Sequence, residues 1–82
     1  MDKFYIITTK YTIRTYTNKI IEIDEFNGTV MAEDPSALNN ALSYLVEVAR
    51  NAIRIGDVQD AVVYVRDIES NVITNIIKEV HL

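Results

Sequence analysis

An α+β two-layer sandwich is the fold this sequence predicts: an antiparallel sheet of four or five strands in ββ(β)αββ order, with one long helix on one face. Three observations predict it. Ile (12), Val (9) and Thr (7) supply 28 of the 82 residues, a β-branched share well above what a helical bundle uses. Apolar residues recur with period two towards both ends of the chain, and with a 3–4 spacing only in the middle. A chain of 82 residues builds one core, so residues 1–82 are expected to form a single α+β domain.

Residues 3–16 alternate. Tyr5, Ile7, Thr9, Tyr11 and Ile13 fall on one face, and Phe4, Ile6, Thr8, Lys10, Thr12 and Arg14 on the other, which is the pattern of a strand. Residues 19–26 form a second strand. A three-residue loop at 16–18 sets Ile13 opposite Ile21 and Tyr11 opposite Ile23. It also sets Lys10 opposite Asp24 and Thr12 opposite Glu22. A two-residue loop would mix the faces, so apolar patterning selects the first register. Asn18 is then expected in the left-handed conformation. Asn27-Gly28 predicts a further hairpin into a short strand, Thr29–Glu33.

Asp34-Pro35-Ser36 opens the helix. Asp34 caps it, Pro35 suits the first turn, and Gly56 sits just past its end. Leu38, Ala41, Leu42, Leu45, Val48, Ala49, Ala52 and Ile55 form the packing stripe over 35–55, with Glu47, Arg50, Asn51 and Arg54 opposite. Two more strands follow, 61–68 and 72–80, joined as a hairpin through Glu69-Ser70-Asn71.

A single helix covers one face of such a sheet. If that face holds Tyr5, Ile7, Tyr11, Ile13, Ile21, Ile23, Val63, Val65 and Ile76, the other carries Phe4, Ile6, Ile20, Phe26, Val62, Tyr64, Ile68, Ile73 and Ile77. A half-solvated sheet shows Lys, Glu, Thr and Ser on its wet side. Burying eight large apolar side chains at ~1.5 kcal/mol each is worth on the order of 12 kcal/mol before association costs. This predicts that the uncovered face is buried against protein, either a second copy in a homodimer or another partner. Phe4, Ile6, Phe26, Val62, Tyr64, Ile73 and Ile77 are the expected interface.

Much chemistry is excluded or disfavoured. There is no cysteine, so disulfides, thiolate metal sites and thiol catalysis are out. One histidine, His81, does not make a zinc site on its own. With two glycines in the chain there is no phosphate-cradling loop. Ser36, Ser43 and Ser70 lack a nucleophile-elbow context. Neither a catalytic residue nor a cofactor or metal is expected. A carboxylate site at Glu22 and Asp24 is the least favoured alternative, since Lys10 is expected to neutralise Asp24. Nothing approaches the ~18 apolar residues of a membrane span or resembles a signal peptide, so a cytoplasmic protein is expected. High Ile and Asn content suits an AT-rich coding genome, such as that of a phage or a low-GC bacterium.

Nucleic-acid binding is the second hypothesis. Arg50 and Arg54 stand at i, i+4, and Lys10, Arg14 and Lys19 surround the first hairpin. The net charge of −4 and the lack of a dense basic cluster weigh against it. Residues 28–42, from Gly28-Thr29-Val30-Met31-Ala32 through Asp34-Pro35-Ser36 to Ala41-Leu42, resemble the strand-to-helix junction of HicB-type antitoxin domains. The Pro-Gly segment expected before that junction is missing, and no DNA-binding segment is appended. The leading expectation is a small, non-catalytic regulatory protein that works by binding protein.

Overall fold

The structure, a computed structural model, describes residues 3–69 and 72–82. In chain order the elements are β1 (Phe4–Arg14), β2 (Ile20–Met31), α1 (Pro35–Arg54), β3 (Asp60–Glu69) and β4 (Val72–His81). The strands form one antiparallel sheet in the order β2-β1-β3-β4. The α+β class and the ββαββ order read from the sequence hold, with four strands.

The first hairpin has the register that the apolar pattern selects. Ile13 pairs with Ile21, Tyr11 with Ile23, Lys10 with Asp24 and Thr12 with Glu22. The loop closes through the Thr15 N–H to the Lys19 carbonyl at 2.8 Å, and Asn18 takes φ 64°. An Asn pays little for that conformation because its short polar side chain bonds locally; here its Oδ1 accepts from Arg14 at 2.6 Å.

Asn27-Gly28 does not turn the chain. β2 runs straight through it to Met31, so the separate strand expected at Thr29–Glu33 is absent. The dipeptide forms a bulge: Thr8 pairs with Phe26 and Ile7 with Gly28, leaving Asn27 as the extra residue. Gly28 adopts φ 123°, which side chains rarely allow, and bulges use glycine for this reason. The Asn27 Oδ1 accepts from the buried Thr9 hydroxyl at 2.6 Å. No atom lies within 4 Å of where a Gly28 side chain would begin. Gly28→Ala should therefore meet no neighbour but strain the backbone, at a cost of about 1–2 kcal/mol of stability in a urea titration.

α1 begins as the sequence indicates. Asp34 Oδ1 accepts from the Ala37 N–H at 3.1 Å, and Pro35 opens the first turn. It ends in a Schellman arrangement: Gly56 at φ 86° donates to Ile53, and Asp57 donates to Ala52. Its buried residues are Leu42 and Ala49. Leu42 joins Ile7, Val63 and Val65 in the core, with Tyr5, Val30, Leu38, Leu45, Val46 and Val80 packed around it. The core is small. The Cα radius of gyration is 14.0 Å, against about 12 Å for a compact chain of this length.

Two placements differ from the sequence reading. Bulges in the β3–β4 pairing shift the register, so Ile76 pairs with Arg66 and lies on the uncovered face. Val48 and Ile55, assigned to the packing stripe of the helix, are exposed.

Candidate functional site

The helix lies over the odd-numbered residues of β1 and β3, so alternation turns the even-numbered ones to the uncovered face. Across the strands this face reads in rows. Met31, Phe4 and Ile68 form the first, Thr29, Ile6 and Arg66 the second, and Phe26, Thr8 and Tyr64 the third. Asp24, Lys10 and Val62 follow, then Glu22, Thr12 and Asp60. The face is apolar at one end and charged at the other.

Exposure is greatest at the β2 edge. Phe26 is 63% exposed, and Met31, Phe4 and Ile76 are also exposed; Ile77 is exposed too, but it is the extra residue of a bulge with no cross-strand partner. Ile6, Tyr64 and Ile68 are half-buried. Val62 is on this face but only 7% exposed, so it forms the floor of the patch. The side chain of Ile73 lies outside the described residues, as do Ser70 and Asn71 of the expected turn.

Tyr64 is the polar centre of the face. Lys10 Nζ lies 5.6 Å and Arg66 Cζ 5.4 Å from its ring centroid, within cation–π range. Lys10 Nζ also meets Glu22 Oε2 at 3.0 Å. The carboxylate that Lys10 engages is thus Glu22, diagonal to it, and not the directly paired Asp24. Glu22, Asp24, Asp60 and Glu79 face Lys10, Arg14 and Arg66, which leaves the face close to neutral.

One group on this face, Lys10, and one on the helix side, Tyr11, hold their protons more tightly when folded. The hydrogen bond from Lys10 to Glu22, with Tyr64 adding, raises Lys10 above its ordinary 10.5. Burial raises Tyr11 above 10.0, and the charge of Glu25 adds to it. A raised pKa contributes stability that is complete below the unfolded value and is lost as pH climbs through the folded one. The melting temperature should therefore fall from about pH 10 upward, and Tyr11→Phe should make that fall shallower in a thermal scan.

The five basic residues of the nucleic-acid hypothesis do not form one surface. Lys10 and Arg14 face away from the helix. Arg50 and Arg54 stand on the outer side of α1, bonded to Glu47 at 3.3 Å and Asn51 at 2.6 Å. Lys19 lies at the hairpin tip. Among the described residues, no three His, Asp or Glu side chains converge on a metal position. His81 pairs with Val62 across β3–β4 and contacts Glu79 at 3.1 Å. No described helix is long and apolar enough to cross a membrane.

Sequence reasoning missed a second apolar surface, on the helix side. Ile21 and Ile23 share the helix-facing parity of β2, yet they are 42% and 44% exposed. Val30 is the β2 residue that joins the core. The helix covers one end of β2 and leaves the other open. Comparison with protein-family models, curated proteins and solved structures gives no match, so the likeness of residues 28–42 to an antitoxin junction carries no family assignment.

Proposed function

We propose that this protein is a non-catalytic binding protein that assembles as a homodimer through the uncovered sheet face. The carrying observation is the grouping of Phe26, Phe4, Met31 and Ile76 in adjacent rows of one face, with no element of the chain over them. The chain exposes 5615 Å², about 600 Å² more than a monomer of its mass usually does. That excess approaches the ~800 Å² that each partner contributes to a standard interface.

A second copy suits this face electrically. Its acidic and basic side chains nearly balance, so stacking it on itself does not set one sign against the same sign. Tyr64, held by Lys10 and Arg66, supplies a rigid aromatic anchor of the kind interfaces favour. A regulatory role by engaging another protein, in the cytoplasm and in a phage or bacterial setting, is the wider function that a small dimer without cysteine fits best. Sedimentation equilibrium tests the dimer directly. Twice the 9.4 kDa chain mass is the expected result at micromolar concentration, and a 9.4 kDa species at every concentration defeats the proposal.

A further inference from the structure

Among the described residues, the most exposed stretch of strand is the first half of β2. Every residue from Ile20 to Phe26 is exposed, and β2 lies at the sheet edge. The Thr15 N–H bonds to Lys19, so odd residues of β1 aim their backbone groups at β2. By the antiparallel pattern, Ile21 and Ile23 return those bonds, while the N–H and C=O groups of Ile20, Glu22, Asp24 and Phe26 point outward. The other edge, β4, is interrupted by bulges where it pairs with β3, which blunt an edge. The Ile20–Phe26 stretch has no such interruption.

The outer flank of α1 on this side of the sheet is apolar too. At 100° per residue, Tyr44, Val48 and Ile55 fall on one flank of α1, and all three are exposed. The flank can be oriented. The side chains of Ile7 and Thr9 face the helix while their backbone groups face β2, so the chirality of the chain fixes the side on which β2 lies. α1 starts beside Lys3, where β2 ends, and finishes beside Thr12, so it runs parallel to β1. A right-handed helix in that direction turns Val48 towards β2 and Val46 towards β4. Ile21 and Ile23 thus form the floor of an open trough, with the Val48 flank of α1 on one side and the unpaired backbone of β2 as its rim.

We infer that this edge takes an extended strand of another protein in which lysine or arginine alternates with apolar residues. Residues of such a strand opposite Glu22 and Asp24 fall on the charged face, and those opposite Ile21 and Ile23 enter the trough. Among the described residues neither Asp24 nor Glu25 has an ion-pair partner. The same charges disfavour one pairing with a second copy: stacking Ile23 on Ile23 of the partner subunit sets Glu22 opposite a like-charged Asp24, which is destabilising. In that register the edge repels its own kind, whereas the Asp24 carboxylate, unpaired among the described residues, accepts the opposite charge. Glu22 and Asp24 border the proposed dimer face, but the site is the outward backbone of β2 and does not depend on the dimer.

The test uses a short peptide of alternating lysine and valine, a glutamate–valine control, and a lysine–valine peptide N-methylated along one edge. Binding of the first is expected to slow amide exchange at Ile20, Glu22, Asp24 and Phe26, the residues whose N–H groups point outward. Asp24→Lys, at an exposed position, should weaken it about tenfold. Equal binding by the N-methylated peptide or by the glutamate control overturns the inference, and so does protection on β4 instead. Protection of the same four amides without peptide, rising with protein concentration, overturns it in favour of a second copy. The mass of the protein alone, measured alongside, reports on the dimer separately.

Discussion

Phe26→Asp should convert the dimer into a folded monomer. Phe26 is the most exposed large apolar side chain of the uncovered face, at 63%. Replacing it disturbs little within the chain, because its ring buries little there. In a two-fold assembly the substitution enters twice. Each copy loses an anchor worth about 2 kcal/mol, and each new carboxylate would have to be desolvated without a partner. A loss of about 4 kcal/mol is a thousandfold in dissociation constant. The expected record is a sedimentation profile shifted to the chain mass, with an unchanged far-ultraviolet circular dichroism spectrum. Tyr64→Asp is less clean, since an aspartate there would meet Lys10 and Arg66 and gain ion pairs. A Phe26→Asp protein that still sediments as a dimer would move the interface off this face.

The parts of the fold that were legible share a cause. Where side-chain period, loop length and a special residue all point one way, the local solution is unique. The first hairpin is such a case: Ile13 opposite Ile21 and Asn18 at φ 64° follow from patterning plus one turn residue. Asp34 and Gly56 bound the helix for the same reason. Asn27-Gly28 was ambiguous because one dipeptide serves both a tight turn and a bulge. What decides is the length of β1. Phe4–Ile7 remain available to pair, so continuing β2 through a bulge forms more ladder bonds than turning back would. Ile76 was misplaced because a bulge reverses face parity, and period counting does not register it.

The candidate site was half legible for a related reason. Alternation assigns a residue to a face but does not say where a helix lies across that face. Ile21, Ile23, Val48 and Ile55 all have the right parity or spacing for burial, and all are exposed because α1 seats on β3 and the Val30 end of β2. The direction of the helix across the sheet is set by where its two connections attach, near Lys3 and near Thr12. That is a property of tertiary structure. The trough beside β2 therefore has no sequence signal of its own.

Leu42→Ala should be the most damaging substitution to folding, and its severity should depend on protein concentration. Leu42 is the one large helix side chain that is fully buried against the sheet, beside Ile7, Val63 and Val65. Truncating it leaves a cavity and loosens the layer contact, at a cost of about 3 kcal/mol. A domain of this size holds roughly 4–12 kcal/mol in total, so the loss is a large fraction. The core is small while the uncovered face is broad, so the proposed assembly would add stability that the isolated chain lacks. Anything that binds the folded state alone raises its melting temperature with concentration. The wild-type melting temperature should thus rise with protein concentration, and that of Phe26→Asp should not. Leu42→Ala should be largely unfolded when dilute and recover secondary structure when concentrated. Combining Leu42→Ala with Phe26→Asp should remove the recovery. If Leu42→Ala melts at one temperature whatever its concentration, folding and assembly are uncoupled, and the uncovered face contributes nothing to the stability of this chain.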